Sequence, residues 1–318
     1  MTELRRRLGA REPLLGFVIV AVFLLVGLRS PDFTTWGNLE AILTDTTTVA
    51  IVAIGAGLVI IGGGIDISVG STLAGAATVA GLLAQDGSAP LVAVLAGIGS
   101  GLALGGVNAV LVVGLRIEPI VATLATLGIF RGVLSQATSG KLIGDLPDGF
   151  TVIGTGSLLG LPYLVWTMFT LTLLAAVVLR WTGFGRTVYA IGNDIRAARL
   201  AGIRVARYQA ATYVIAGGFA GVAGVLFAAR NGTVLPTSGS GIELLAIAAI
   251  VVGGVDIFGG RGTVLGIVLA ALLLQMISAA MVAVGVDVAW QNAVVGVTIL
   301  LAVTLFAVSH GRRSVVHA

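Results

Sequence analysis

Two glycine-rich segments each place an aspartate beside an interruption in an apolar run. Both fit the pattern Gly-Gly-[Ile/Val]-Asp-Ile; the first holds Gly63, Gly64, Asp66 and Gly70, and the second holds Gly254, Asp256 and Gly260. Glycine permits the left-handed backbone of a broken helix, and irregular backbone at membrane depth lines a polar route. Charged groups in such places are functional candidates. The alternative is that Asp66 and Asp256 only cap helix ends at the membrane boundary.

The rest of the composition offers little for covalent chemistry. The chain has no cysteine and two histidines, both within its last nine residues, so it holds no thiol, zinc site or Ser-His-Asp arrangement. Its only lysine, Lys141, is followed by Leu142, so the phosphate-binding pattern Gly-x-x-x-x-Gly-Lys-[Ser/Thr] is absent. An intramembrane hydrolase is disfavoured because the chain offers neither a histidine site nor a pair of aspartates for hydrolysis. We therefore expect no catalytic residue, no metal and no cofactor on this chain.

Polar residues inside the apolar runs are candidates for lining the route of a solute. They are Thr48, Asn108, Thr123, Thr126, Arg131, Gln275 and Asn292. Threonine hydroxyls in helices also bond to their own backbone, and asparagine or glutamine can join neighbouring helices. Arg131 could instead reach outward along its aliphatic stem or pair with Asp145 or Asp148.

The composition requires a membrane for these residues to sit in. Only 10% of the 318 residues are charged, 57% are hydrophobic and the mean hydropathy is +1.09. A soluble domain carries about 25% charged residues, so a soluble enzyme, a disordered chain and a nucleic-acid-binding protein are excluded, despite a pI of about 10.1. Ten stretches are long and apolar enough for membrane helices: 13–28, 47–62, 67–84, 90–114, 119–138, 161–180, 208–229, 244–257, 264–284 and 288–309. The predicted fold is an all-α integral membrane protein with some short or broken helices.

Basic residues fall mainly on one side of these spans. Fourteen arginines lie on the side of the N-terminus, three basic residues lie on the other side, and Arg131 lies within a span, which accounts for all 18. The positive-inside rule then predicts that both termini are cytoplasmic. The predicted organisation is a cytoplasmic segment over 1–12, one transmembrane domain over 13–309 and a cytoplasmic tail over 310–318. The first span follows four arginines without a cleavage pattern, and we interpret it as a retained anchor.

Glycines at helical spacing predict close contacts between helices. Gly97, Gly101 and Gly105 make two overlapping GxxxG steps, and Gly217 and Gly221 repeat the spacing. These faces either pack within one chain or form a contact between two copies.

The longest predicted cytoplasmic loop, 181–207, holds five arginines against one acid, Asp194. Asn193 is a good N-cap residue, residues 194–201 form a predicted two-turn helix, and Gly202 is a good terminator. Its apolar face would consist of Ile195, Ala198 and either Leu200 or Ala201. Such a helix could dock into a groove of another protein or lie on anionic lipid headgroups, and the residues alone leave both open.

Four ordered motifs resemble the permease subunits of sugar-importing ABC transporters, the ribose, xylose and arabinose group. They are 61–71 (IGGGIDISVGS), 118–131 (EPIVATLATLGIFR), 185–203 (GRTVYAIGNDIRAARLAGI) and 243–266 (ELLAIAAIVVGGVDIFGGRGTVLG), and the resemblance spans about 38–302. Residues 120–132 and 139–147 are most similar to the autoinducer-2 and rhamnose branch. Glu118 departs from the family pattern, which often has proline before Pro119, although an acid is favoured at a helix start.

The resemblance implies a role for the long loop and a set of partners. The coupling helix of those permeases, which docks on a separate ATPase subunit, matches Asn193, Asp194, Ala197, Ala198 and Gly202 of this sequence. That ATPase would bind ATP and magnesium, whereas this chain would form the route for a monosaccharide or similar small polyol, such as ribose, rhamnose or autoinducer-2. The implied setting is the bacterial inner membrane, with a second permease copy or paralogue, an extracytoplasmic solute-binding protein and membrane lipid as further partners, and no nucleic acid.

The outer segments 139–160 and 231–241 are expected to meet the solute-binding protein. Their charges would be docking points or simply solvated loop residues, and they are Lys141, Asp145, Asp148, Arg230 and Glu243. The alternative function is an ion-coupled secondary transporter of a small polar solute. Proton coupling usually needs ionisable groups at mid-membrane, and only Arg131 is predicted to lie there.

Overall fold

The described part of the chain is mostly helical. The computed structural model describes residues 2–286 and residues 290, 293, 296 and 297. Its α-helices are α1 Thr2–Arg29, α2 Trp36–Ile61, α3 Val69–Gln85, α4 Pro90–Ala109, α5 Pro119–Ala137, α6 Asp148–Thr155, α7 Tyr163–Trp181, α8 Gly183–Asn193, α9 Ile195–Leu200, α10 Val205–Asn231, α11 Ile242–Val252 and α12 Val264–Ala283. A 3-10 turn, Pro31–Thr34, precedes α2, and a π-helical turn, Val110–Gly114, extends α4. Strand β1 Ser157–Leu158 pairs antiparallel with β2 Leu161–Pro162.

Seven helices in the described part of the chain are long and apolar enough to cross a membrane. They are α1, α2, α4 with its π-helical turn, α5, α7, α10 and α12. Two shorter apolar helices, α3 and α11, follow or precede the glycine-rich interruptions. These elements coincide with the first nine predicted spans, and the predicted span over 288–309 lies almost entirely outside the described residues. The predicted helical membrane fold, with short helices at the interruptions, is therefore confirmed for this part of the chain.

Helix α2 runs through the centre of the bundle. Every residue from 46 to 61 is buried, and the helix contacts α7, α10, α11 and α12. A helix that is apolar on all faces suits such a position. The predicted start at residue 47 was too late, because Glu40 and Asp45 lower the local hydropathy without interrupting the helix that begins at Trp36.

The spaced glycines join α4 to α10. A Cβ on Gly101 would lie 2.7 Å from the Gly221 Cα, and a Cβ on Gly217 would lie 2.8 Å from the Gly105 Cα. Only glycine permits this approach of two backbones, so the two GxxxG faces pack against each other within one chain. The alternative, that these faces form a contact between two copies, does not apply, because the glycines already form contacts within one chain.

Contacts between helix ends define two ends of the bundle. At one end, the Gly260 amide donates to the Ile61 carbonyl oxygen at 2.9 Å, which joins the end of α2 to the turn after α11. We call this the basic end because α8 and α9 lie here with Arg186, Arg196 and Arg199. At the opposite end, Ile143 and Val234 exchange two backbone hydrogen bonds of 2.9 and 2.8 Å. The predicted irregular segment 139–160 at that end also contains α6, which the composition had not indicated.

Candidate translocation and coupling site

Helices α2 and α11 end in the same kind of cap. Gly63 and Gly254 adopt left-handed backbone, with φ of +80° and +87°. The Gly64 amide donates to the Val59 carbonyl oxygen at 3.0 Å and the Val255 amide donates to Ile250 at 3.1 Å, which is the six-to-one bond of a Schellman motif. The two glycine-rich segments therefore repeat a helix cap.

The aspartates of the two segments are not equivalent. Asp66 lies three residues after the left-handed Gly63, whereas Asp256 lies two residues after the left-handed Gly254. Asp256 is partly exposed and accepts from the Phe258 amide within its own turn at 3.0 Å. Asp66 is only 3% exposed, so its carboxylate is enclosed by the protein, whereas that of Asp256 is not.

A chain of buried hydrogen bonds starts at the Asp66 carboxylate. The Ser68 hydroxyl and amide donate to Asp66 Oδ1 at 2.7 and 2.9 Å. Asn108 Nδ2 on α4 donates to Ser68 Oγ at 2.7 Å. The Thr126 hydroxyl on α5 donates to Asn108 Oδ1 at 2.8 Å. The broken segment before α3 is thereby tied to two membrane helices, and polar groups in a low-dielectric interior strengthen one another in such chains.

Arg131 pairs with a residue that lies far away in the sequence. Its Nη2 lies 3.8 Å from Glu243 Oε2 at the start of α11, and the two side chains are 20% and 14% exposed. The prediction that Arg131 reaches outward or pairs with Asp145 or Asp148 is therefore wrong. Glu243 is likewise not a docking charge of the outer surface. Gly70 leaves room for the Glu243 side chain in this position, because a Cβ on Gly70 would overlap the Glu243 carboxylate.

The pair lies deep in the bundle. Arg131 is twelve residues from the start of α5 at the basic end, or about 18 Å along the helix axis. Glu243 is nine residues before Val252, the last residue of α11, or about 14 Å. Both values fall near the middle of a hydrocarbon core of about 30 Å. Arg131 Nη1 and Nη2 and Glu243 Oε2 are buried, and none has a hydrogen-bond partner among the described residues.

The other predicted route residues do not join these two clusters. The Thr123 hydroxyl donates to its own helix at the Pro119 carbonyl oxygen (2.8 Å), as the alternative predicted. Gln275 Nε2 on α12 donates to the Asp45 carbonyl oxygen at 3.1 Å. Thr48 is buried on α2 at 8% exposure. Asn292 lies outside the described residues.

The predicted cytoplasmic loop forms two helices, α8 and α9. Asp194 caps α9, because its Oδ1 accepts from the amides of Ala197 (2.9 Å) and Arg196 (2.8 Å). These bonds hold the pKa of Asp194 below its usual value, since they favour the ionised carboxylate. The prediction that Asn193 is the N-cap was wrong by one residue, because Asn193 ends α8. Gly202 follows α9 with φ +79° and terminates it as predicted.

The face that α9 presents outward differs from the predicted apolar face. Ala198 is 4% exposed and packs against Ile191 and Val205, so it fastens α9 to the protein and is not free to touch another chain. Leu200 is 91% exposed, and Phe258, in the turn after α11, is 84% exposed. Large apolar side chains this exposed at the basic end mark a surface that another protein can cover.

Gly192 connects this surface to the helix caps. A Cβ on Gly192 would overlap both the Ile61 carbonyl oxygen and the Gly260 amide nitrogen. These two groups are themselves hydrogen-bonded, so the end of α8 rests directly on the point where α2 meets the turn after α11. Gly260 is equally constrained, because its φ is +74° and a Cβ there would lie 2.6 Å from the Asn193 Cα.

Comparison with known proteins decides what kind of membrane protein this is. A family model described as the permease component of the branched-chain amino acid transport system matches residues 38–303. The chain belongs to this permease family. No solved structure matches it.

Curated relatives of this permease are subunits of import systems. The autoinducer 2 import system permease protein of Salmonella typhi is 36% identical over 296 residues, which are 93% of this chain and 85% of the relative. The ribose import permease protein of Escherichia coli strain K12 is 38% identical over 289 residues, 90% of each chain. The resemblance to sugar-type ABC importer permeases is thus confirmed. Relatives of both the autoinducer-2 and the ribose kind match at similar identity.

Several structurally important residues escaped the sequence-based predictions. Ser68 and Gly192 carry no signal of their own, since serine and glycine are common in such loops. Glu243 was assigned to the wrong surface because α11 starts inside the bundle, not at its outer edge. The amphipathic pattern of α9 is too short to show which side of it faces inward, so Ala198, which is buried, was grouped in one predicted docking face with Leu200, which is exposed.

Proposed function

We propose that this permease imports a monosaccharide or a similar small polyol across the bacterial inner membrane, as one subunit of a binding-protein-dependent ABC transporter. Its partners would be ABC ATPase subunits, a second permease that is a copy or a paralogue, and an extracytoplasmic solute-binding protein. Ten spans with both termini in the cytoplasm fit this role, because the basic end of the bundle would then face the ATPases. The names of the ribose and autoinducer 2 relatives support the solute class.

The observation that carries the proposal is the path from α9 to the two helix caps. Leu200 and Phe258 offer an exposed apolar surface at the basic end. Gly192 places the end of α8, the helix before α9, against the joined ends of α2 and the turn after α11. A partner that moves α9 therefore moves the caps, and the cap after α2 leads directly to the Asp66 chain. ATP-driven changes in the ATPase pair would reach the membrane interior by this route.

The pair of Arg131 and Glu243 is suited to bind the solute on its route through the membrane. Charged side chains at mid-membrane face a polar cavity or another protein, and not lipid. The Arg131 donors and the Glu243 Oε2 acceptor, which have no hydrogen-bond partner within the described part of the chain, match the hydroxyl groups of a polyol, which can accept and donate hydrogen bonds. The ion pair is loose at 3.8 Å, so a solute could bind between the two groups and leave again. Thr126 lies on α5, as Arg131 does, and its hydrogen bond to Asn108 on α4 would re-form as those two helices move.

An ion-coupled transporter is the second candidate, and one observation favours it. The structure encloses Asp66 and Glu243 within the bundle in addition to Arg131, whereas the sequence placed only Arg131 there. Enclosed carboxylates are a common feature of proton-coupled transporters. Membership of the permease family outweighs this, because its curated relatives are permeases of import systems and the resemblance to ABC importer permeases implies a separate ATPase.

Replacing Leu200 with serine tests the coupling surface. Burying a leucine side chain at an interface contributes about 1.5–3 kcal/mol, so we expect Leu200→Ser to weaken binding of the ATPase subunit roughly 10- to 100-fold. The matched control is Leu159→Ser. Leu159 is 85% exposed, which is close to the exposure of Leu200, but it lies at the opposite end, between β1 and β2. The measurement is the affinity of the purified permease for its ATPase by biolayer interferometry. Equal affinity for wild type and Leu200→Ser would remove α9 as the docking element.

A further inference from the structure

A cleft of about 1030 Å³ opens at the basic end, apart from the residues assigned to transport. It lies between the π-helical turn after α4, the start of α5 and the start of α10. Four arginines line it, and they are Arg116, Arg199, Arg204 and Arg207. The single acid in the lining is Glu118, whose carboxylate already accepts from the Val121 amide at 3.1 Å and so caps α5. None of the four guanidinium groups pairs with a carboxylate among the described residues.

The backbone adds to the positive potential of this cleft. The 19-residue α5 and the 27-residue α10 both begin here, at Pro119 and Val205. The N-terminus of a helix carries a partial positive charge and attracts anions. Arg116 also has φ +60°, a left-handed conformation that costs a non-glycine residue free energy and tends to persist where it serves a site. The four arginines and the two helix N-termini therefore favour binding of an anion that can accept several hydrogen bonds.

The remaining lining shows what kind of anion fits. Val112, Val113 and Ile117 form an apolar wall beside the arginines. A free phosphate ion would use the arginines and leave that wall exposed to water. A phospholipid would use both, because its phosphodiester can accept bidentate bonds from arginine while an acyl chain lies along the valines. The cleft also lies at the ends of three helices that are long and apolar enough to span a membrane, α4 with its π-helical turn, α5 and α10, and the ends of such helices are expected near lipid headgroups.

We propose that this cleft is a binding site for the headgroup of an anionic phospholipid. The phosphodiester would lie among Arg116, Arg204 and Arg207, with an acyl chain against Val112 and Val113. Basic pockets between membrane helices on the cytoplasmic side bind such headgroups in other membrane proteins. Arg199 extends from α9 into the same cleft, so a bound lipid would brace the coupling segment against α5 and α10. The site is independent of which solute the permease carries.

Lipid titration of the delipidated permease–ATPase complex tests the site. Native mass spectrometry would give apparent Kd values for phosphatidylglycerol and for zwitterionic phosphatidylcholine. We expect wild type to prefer phosphatidylglycerol, and the double variant Arg204→Gln/Arg207→Gln to bind it about 30-fold more weakly. The control Arg186→Gln/Arg261→Gln removes the same charge from the basic end outside the cleft and should change the Kd less than 3-fold. If the double variant does not purify as an intact complex, Arg116→Gln alone should show about 5-fold weakening.

Four outcomes would overturn the proposal. Equal affinity for the two lipids would show that the charge of the headgroup is not recognised. Equal weakening by the control pair would show a diffuse surface charge instead of a site. Displacement of the lipid by millimolar inorganic phosphate would show a site for a free anion. Loss of the ATPase from the Arg204→Gln/Arg207→Gln complex with unchanged lipid affinity would show that the cleft docks an acidic segment of the ATPase.

Discussion

Replacing Gly192 with alanine is the sharpest perturbation of the link between α8 and the helix caps. The added Cβ would lie closer to the Ile61 carbonyl oxygen and the Gly260 amide than the 3.0 Å that real Cβ contacts keep. Both neighbours are backbone groups, so relief requires the 2.9 Å hydrogen bond between them to open. Overpacking costs about 1–3 kcal/mol and the lost bond about 1 kcal/mol. The expected loss of folding free energy is therefore about 2–4 kcal/mol.

The functional consequence of Gly192→Ala is uncoupling. Because Leu200 and Phe258 remain exposed, the ATPase should still bind with an affinity within about 3-fold of wild type. Solute uptake per ATP hydrolysed should fall at least about 10-fold, since the ends of α2 and of the turn after α11 no longer move with α8. Reconstituted proteoliposomes with radiolabelled solute and a phosphate-release assay measure this ratio directly.

Gly183→Ala is the matched control for this prediction. Gly183 lies on the same helix as Gly192, but the nearest atom to its added Cβ is the flexible end of Arg186 at 3.9 Å. We expect wild-type coupling for Gly183→Ala and a slight gain in stability, since alanine favours the helix. A Gly192→Ala permease with wild-type stability and a wild-type ratio of solute to ATP would refute the proposed path.

Three further predictions test other contacts. Gly101→Leu should prevent stable assembly of the bundle, whereas Gly99→Leu should be tolerated because nothing lies within 4 Å of its Cβ; detergent-solubilised yield and thermal midpoint compare them. Arg131→Gln leaves the Glu243 carboxylate unpaired, which costs up to about 3–5 kcal/mol, so both single variants should be less stable than Arg131→Gln/Glu243→Gln, and strict additivity in this cycle would contradict the pairing. Asn108→Ala should lower stability by about 1–3 kcal/mol by leaving buried partners unsatisfied, and an unchanged thermal midpoint would show that the hydrogen-bond chain contributes nothing.

The positions of the membrane helices could be predicted because lipid imposes a simple length and polarity rule. That rule assumes that lipid surrounds each span, so it placed the start of α2 after Glu40 and Asp45. In the structure, protein and not lipid surrounds this helix, and the helix includes both residues. The packing partners of the GxxxG faces needed the structure, because spacing shows that backbones approach closely but not which backbones.

The candidate site was only partly accessible from the sequence. Asn108 and Thr126 were named from their type and depth, yet their link to Asp66 depends on how the chain returns after the left-handed Gly63. The pairing of Arg131 with Glu243 joins residues far apart in the chain, and no local pattern encodes it. The short helix α9 was predicted from its cap and its arginines, and its coupling role was implied by the family resemblance, but the inward position of Ala198 follows from packing against Ile191 on α8 and Val205 on α10.

The central claim is that ATP hydrolysis by a docked partner drives a small polyol through this permease. The most direct measurement is uptake of labelled ribose and autoinducer-2 into proteoliposomes that contain the permease, its ATPase and its solute-binding protein. We predict uptake of at least one solute with ATP, and none when a hydrolysis-deficient ATPase is used under an imposed proton or sodium gradient. Uptake that persists on the ion gradient alone would contradict the claim and would make Asp66 and Glu243 candidates for ion coupling.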